Sequence, residues 1–237
     1  MSPGRLRVSN LTAGYDRDIV SGVTFEGKAG EILVLMGRSG SGKSTLLKAI
    51  AGQIPFAGSI SFTDAGIETV SFLYQSPYAF PWLTAVNNVR EATGVSAQSA
   101  RTLLDGIKLE TAHAKYPFEM SGGMLRRLGL MMALNGPQNI ILLDEPFTGL
   151  DDWTKELAFE AVESAARTHK KLVILTTHSV EEALIIGDVI LSLSGEPSDI
   201  AFQYRTQIER PRYGPQIDGA ELGSAISAVR KNLAAVT

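Results

Sequence analysis

Two short stretches of the chain carry residue types that handle phosphate. Residues 37–45 read Gly-Arg-Ser-Gly-Ser-Gly-Lys-Ser-Thr, which fits G-x-x-x-x-G-K-[ST]. Gly37, Gly40 and Gly42 let successive backbone N–H groups converge on one concave anion site with no Cβ in the way. Arg38, Ser39, Ser41 and Thr45 complete the lining. Lys43 supplies a mobile full charge for β- and γ-phosphates, and the Ser44 hydroxyl is a hard oxygen ligand for Mg²⁺. The second stretch is Ile140-Ile-Leu-Leu-Asp-Glu145. Two adjacent acids at the end of an apolar strand sit badly in a core without cationic partners, and a Mg²⁺–phosphate group supplies them. Asp144 is expected to hold the metal, directly or through water. Glu145 is expected to face the γ-phosphate and polarise the attacking water.

Such a loop works only between a strand and a helix. Ile32 to Met36 is fully apolar, the pattern of a strand buried on both faces. Ser44 to Ala51 has helical apolar spacing and stops at Gly52. Residues 5–35 read as β structure, and Ser59 to Phe62 and Val70 to Tyr74 as further strands. From about 76 to 135 the character changes. A Pro- and aromatic-rich loop, Ser-Pro-Tyr-Ala-Phe-Pro-Trp, precedes helical periodicity from Ser96 and a helix over Ser121 to Leu134. The α/β pattern then resumes with strands at Ile140–Leu143, Leu172–Thr177, Val189–Leu193 and Ile200–Tyr204. Between them lie an amphipathic helix, Asp152 to Thr168, and one opened by a capping box, Ser179 to Glu182. Residues 209–237 are a short tail, helical from about Ala220, with no room for a sizeable regulatory domain. The expectation is one α/β domain, 1–237, with a mostly parallel sheet and a helical insert.

Composition narrows the chemistry. The chain has 237 residues, 22 Lys plus Arg against 25 Asp plus Glu, and a net charge of −3, which gives no electrostatic footprint for nucleic acid. There is no cysteine, which excludes disulfides, thiolate metal sites and cysteine nucleophiles, and the three histidines are widely spaced. No apolar run reaches membrane length, and the first residues lack the apolar stretch of an export signal. A cytoplasmic protein is expected, with any membrane role coming through a partner.

Several further positions fall in a telling order. Gln75 follows a strand, Ser121-Gly122-Gly123 opens a helix 23 positions before Asp144, Thr148-Gly-Leu-Asp151 follows Glu145, and His178 follows the strand ending at Thr177. In that order the chain resembles the nucleotide-binding subunit of ABC transporters over about residues 5–205. The resemblance implies a P-loop NTPase (RecA-like) core with an N-terminal antiparallel β subdomain and an inserted α-helical subdomain. It implies ATP and Mg²⁺ as ligands and ATP hydrolysis as the activity. Tyr15 would stack on adenine. Gln75 would contact Mg²⁺ or the attacking water, and His178 the γ-phosphate. Ser121, Gly122 and Gly123 would bind the γ-phosphate of ATP held by a second subunit, and Asp151 would organise that interface. Two copies would face head to tail and bury two ATP molecules.

The chain departs from the family pattern at Met124, where glutamine is common, and at Met132, where arginine is common. Methionine at the first position also occurs in the nitrate, sulfonate and taurine import group. The stretch from Gln75 to Thr84, with its Pro-Trp-Leu-Thr, is close to that of the same group. Related ATPases for pyrimidine and thiamin precursors look similar, and a separate-chain exporter ATPase is a further alternative. Tyr78, Phe80 and Trp82 would offer an aromatic surface to a partner's cytoplasmic helix. The implied partners are integral-membrane permease subunits and an extracytoplasmic solute-binding protein. The implied location is peripheral, on the inner face of the cell membrane. Family members in DNA repair or translation usually carry coiled coils, zinc cysteines or a tandem second ATPase, none of which is present.

Overall fold

The apolar run Ile32–Met36 forms strand β3, with all five residues buried. The computed structural model describes residues 5–63, 70–76, 78–210, 212–213 and 219–235. Residues 211, 214–218 and 236–237 of the expected tail, Pro77 of the aromatic loop and the first four residues lie outside that set. Strands β1 (Arg5–Gly14), β2 (Asp18–Lys28) and β4 (Phe56–Thr63) precede or follow β3 near the start of the chain. They are followed by β5 (Ser71–Leu73), β6 (Ile140–Leu143), β7 (Leu172–Thr176), β8 (Val189–Gly195) and β9 (Ser198–Arg205). Among the described residues these make one nine-stranded sheet in the order β4-β1-β2-β9-β8-β3-β7-β6-β5.

Strands β8, β3, β7, β6 and β5 run parallel. The period-2 alternation of strand side chains divides their apolar residues between two cores. Ile32, Val34, Ile141, Leu143, Val173 and Leu175 face one, and Leu33, Leu35, Ile140, Leu142, Leu172 and Ile174 the other. Helix α1 (Lys43–Ile50) covers the second face through Leu46, Leu47, Ala49 and Ile50. Helix α5 (Asp152–Arg167) covers the first through Ala158, Phe159, Val162, Ala165 and Ala166.

The N-terminal strands are an antiparallel wing of this same sheet rather than a detached layer. β1 pairs antiparallel with β2 and β4. The wing joins the rest at one parallel pair, Val20 with Ser198, because β9 turns back antiparallel along β8 and presents its outer edge to β2.

Between β5 and β6 lie helices α2 (Ala85–Thr93), α3 (Ala97–Asp105) and α4 (Gly122–Asn135). Helix α2 is not legible in its own sequence, which holds two asparagines, two valines and a threonine, all poor helix formers. Its fully buried Asn88 explains it: the amide accepts from the Phe80 N–H (2.7 Å) and donates to the carbonyls of Phe80, Leu83 and Thr84. One side chain thereby orders the aromatic loop against the helix.

Helix α6 (Val180–Ile186) forms with only half of its expected capping box. Ser179 Oγ accepts from the Glu182 N–H at 3.2 Å. The Ser179 N–H donates instead to Thr177 Oγ1, and the Glu182 carboxylate accepts from the Thr177 hydroxyl (2.6 Å) and pairs with Lys155 (3.1 Å). Helix α7 (Gly219–Ala235) ends the described chain.

Asp188, at the entrance to β8, ties three segments together. Its carboxylate accepts from the Ile32 N–H (2.9 Å), from Arg167 and from Arg210 (3.0 Å). Burial raises the carboxyl pKa, but the Arg210 charge, the Ile32 N–H and Arg167 outweigh it and hold it below the usual range. The folded state therefore binds this proton less tightly than the unfolded chain. Its stabilisation is complete above about pH 4 and is lost as pH falls further. Asp188→Asn is expected to cost about 1–3 kcal/mol at pH 7, the scale for hydrogen bonds to a part-buried charged group. In urea unfolding, the gap to wild type should narrow as the pH is taken from 5 towards 2. A gap that does not change with pH contradicts this assignment.

Candidate nucleotide site

The glycine loop leaves β3 and turns directly into α1. Gly42 has φ +83, and a Cβ there would lie 2.6 Å from Val20 Cγ1 of β2. Gly37 has φ +152, and a Cβ there would lie 2.4 Å from Ser41 Oγ. Larger residues at either position would break the loop's path. Gly42 is also the N-cap of α1, with no side-chain cap and no acid in the first turn. The free N–H groups and the positive helix end therefore stand open to an anion. Arg38, Ser39, Gly40 and Ser41 line an open cavity of about 610 Å³ with Arg17 and the β8–β9 turn. Ser41 Oγ is buried without a hydrogen-bond partner among the described residues.

Lys43 is buried, and its ammonium folds back over the loop to donate to the carbonyls of Gly37 (2.8 Å) and Arg38 (3.0 Å). Burial lowers its pKa, and the nearby charges of Glu145 and Asp144 only partly restore it. The carbonyls are neutral partners for a desolvated cation, so a phosphate oxygen is a stronger one.

Asp144 and Glu145 follow β6 at the same edge of the sheet. Asp144 is buried, and its Oδ1 accepts from Thr176 Oγ1 at 2.8 Å. The same hydroxyl accepts from the Glu145 N–H, also at 2.8 Å. Glu145 is left-handed, φ +48. Its carboxylate accepts from Thr148 Oγ1 at 3.0 Å and lies 3.7 Å from His178 Nδ1. The His178 side chain is 69% exposed. Gln75 is exposed, and its carbonyl accepts from Arg126 Nη2 at 2.7 Å, while Arg126 Nη1 donates to the Glu145 carbonyl at 2.7 Å. Lys43, Asp144, Glu145, His178 and Gln75 are thus linked through bonds and near charges.

Other expected site residues stand apart from this cluster. The Ser121 hydroxyl accepts from the Met124 N–H at 3.3 Å and caps α4. A Cβ at Gly122 would meet nothing within 4 Å, and one at Gly123 only the Gly149 carbonyl at 3.9 Å. Among the described residues, no packing contact demands either glycine. The Asp151 carboxylate caps α5, accepting from the Thr154 N–H (3.0 Å) and hydroxyl (2.8 Å), and these bonds hold its pKa down. Tyr15 is 61% exposed, and its hydroxyl accepts from Lys48 at 3.5 Å. Met124 and Met132, the two departures, both pack against the core.

Thr176 and Arg126 are the site residues that sequence reasoning missed. A threonine pair ending the apolar strand β7 is a faint signal for the first. An arginine pair inside an apolar helix is a faint signal for the second.

A strand, a glycine cradle, an uncapped helix and an acidic neighbouring strand end define a phosphate-loop nucleotide-binding α/β protein. Residues 20–148 match the family model for ABC transporters. An aliphatic sulfonates import ATP-binding protein, SsuB 2, of Burkholderia cenocepacia is 33% identical over 215 residues, covering 87% of this chain and 79% of that one. SsuB 1 of Xanthomonas axonopodis pv. citri is 32% identical over 209 residues, covering 83% of each. The chain belongs to the ABC transporter family. The solved ATP-binding subunit of an ABC transporter superposes with a TM-score of 0.75 at 24% identity, covering 94% of this chain and 99% of that one. A dimeric cassette, MJ0796, bound to ADP and Pi superposes with 0.72 at 24%, covering 86% and 100%. These two likenesses concern the fold.

Thr176→Val keeps the shape of a fully buried side chain and removes the hydroxyl that serves both acids. We expect a loss of about 1–3 kcal/mol in chemical unfolding, the cost of leaving buried polar groups unpaired. An unchanged midpoint contradicts the bonding described.

Proposed function

We propose that this chain is the ATP-hydrolysing subunit of an ABC importer and that it acts as a head-to-tail pair of copies. The observation that carries the reading is a mismatch between two half-sites. The cradle at 37–45 offers an uncapped helix end with Asp144 and Glu145 near its lysine, and at the Ser121 helix end nothing among the described residues would meet a Cβ on Gly122.

In this reading Lys43 leaves the Gly37 and Arg38 carbonyls for the β- and γ-phosphates, and the loop N–H groups hold the rest of the triphosphate. Tyr15 stacks on the adenine. Ser121, Gly122 and Gly123 of the second copy close over the γ-phosphate with the N-terminus of α4. Glu145 accepts the proton of the attacking water, Gln75 helps to place that water, and His178 contacts the γ-phosphate. Asp151, as cap of α5, supports the same interface.

The residues fit Mg²⁺. Asp144 has a carboxylate oxygen not bonded to Thr176, and Ser44, a half-buried residue in the first turn of α1, offers a hydroxyl. No cluster of three or more His, Cys, Asp or Glu occurs among the described residues, which suits an ion that keeps several waters and phosphate oxygens. When bound, Mg²⁺ neutralises charge on the β- and γ-phosphates; Ser44, Asp144 and Gln75 are the residues that would hold it.

The transport assignment rests on the relatives, which are named as sulfonate importers. A sulfonate-type anion or small organic solute is therefore the proposed cargo, with permease subunits and a solute-binding protein as partners. No helix among the described residues is long and apolar enough to cross a membrane, and in this reading the permease subunits carry the cargo path. Tyr78 and Trp82 are 58% and 68% exposed and flank Phe80 with ring centroids 5.7 and 5.8 Å away. This aromatic ridge is the proposed seat for a permease helix on the cytoplasmic face.

Phosphate release from Mg-ATP by the purified protein tests the reading. Glu145→Gln should lower kcat by about 10²–10⁴-fold and leave an ATP-dependent dimer visible by size. Gly122→Glu gives effects of opposite sign. A carboxylate in the first turn of α4 should stabilise the fold by a few tenths to about 1 kcal/mol, yet repel the incoming γ-phosphate and abolish the ATP-dependent dimer. A Gly122→Glu protein that dimerises normally on ATP contradicts the head-to-tail pair.

A further inference from the structure

We propose that Arg126 is a positioning residue that makes the aim of Glu145 depend on where helix α4 sits, and so on what occupies the Ser121 end of that helix. The proposal deepens the paired-nucleotide reading above and rests on it.

Glu145 is held at both sides of its backbone. Its N–H donates to Thr176 Oγ1 and its carbonyl accepts from Arg126 Nη1 at 2.7 Å; the local Thr148 N–H, at 3.4 Å, adds only a weak third bond. Its φ of +48 is a conformation that a residue with a Cβ rarely adopts, so neighbours must hold it there. The two grips differ in kind. Thr176 is fully buried in β7, so its grip is fixed to the centre of the sheet. Arg126 belongs to α4, outside the sheet, so its grip moves with that helix.

The guanidinium does not serve Glu145 alone. Its second arm donates to the Gln75 carbonyl at the same 2.7 Å. The planar fork fixes the spacing of its two bonds, so the segments after β5 and β6 are locked to each other through one side chain. Arg126 lies five residues from the Ser121 cap, about 7.5 Å along the helix axis. A triphosphate of another copy that pulls on that cap shifts the fork, and the fork shifts the Glu145 carbonyl against the fixed Thr176 grip. Loading of one nucleotide site is thereby felt at the catalytic carboxylate of the other.

The test compares Arg126→Met, which removes every donor, with Arg126→Lys, which keeps a charged donor on a flexible stem. Each is made in the wild type and in Glu145→Gln. The readouts are the Kd for Mg-ATP, the ATP-dependent dimer in the Glu145→Gln background, kcat, and the unfolding midpoint. Arg126→Met is expected to lower kcat by about 10- to 100-fold, the scale of a misplaced catalytic group. Kd should stay within about twofold, the double variant should still dimerise, and Arg126→Lys should recover part of kcat.

A kcat within about twofold of wild type overturns the inference. So does a parallel fall of kcat, Kd and dimer formation, which marks a merely structural residue. If Arg126→Met does not fold, Arg126→Lys and Arg126→Gln decide by the same criteria. A wild type that neither binds nor hydrolyses Mg-ATP overturns the proposed function and this inference together. An active wild type beside an equally active Arg126→Met overturns this inference alone.

Discussion

Two cations and two anions meet at the carboxyl edge of a parallel sheet without closing on each other. Lys43 and Arg126 both feel the charges of Asp144 and Glu145, yet among the described residues neither makes an ion pair with them. Lys43 and Arg126 donate to neutral carbonyls instead, and the acids accept from threonine hydroxyls. Charges part-buried with neutral partners are tolerated at a cost. In the proposed reading a magnesium-bound triphosphate would give Lys43 an anionic partner and Asp144 a cationic one, while Arg126 keeps its two carbonyls. The rest of the structure exists to hold this open arrangement in place.

The holding is done by the sheet. β3, β6 and β7 are adjacent and parallel, so the loop after one and the acids after another emerge on the same side. The strand between them contributes Thr176. The tight approach of Gly42 to β2 sets the loop against the N-terminal wing. The glycines at 122 and 123 belong to a different logic. Among the described residues nothing meets a Cβ at Gly122 and only the Gly149 carbonyl, at 3.9 Å, meets one at Gly123, which leaves the room that the proposed contact with a second copy needs.

The cradle and the acidic strand end were readable because their chemistry is local: glycine spacing, a lysine, a strand before and a helix after. The buried strands were readable because parallel strands covered on both faces have no polar positions to confuse the pattern. Residues that work across long sequence distances were not readable. Arg126 reaches positions 51 and 19 residues away, and Thr176 reaches 31 and 32, and neither leaves a period in the sequence. Helix α2 depends on bonds from Asn88 to a loop that precedes it, against its own weak propensity. The capping box at Ser179 was half right, because Glu182 has better partners in Thr177 and Lys155 than the local pattern can reveal.

A mixing experiment bears most directly on the claim that each nucleotide is held by the cradle of one copy and the Ser121 end of another. Lys43→Ala protein lacks a working cradle and Gly122→Glu protein lacks a working helix end, so each alone should be inactive. Combined at saturating Mg-ATP, the two form a mixed pair with one complete site, and phosphate release should rise above the sum of the separate proteins. A mixture no more active than that sum would contradict a site shared between two copies.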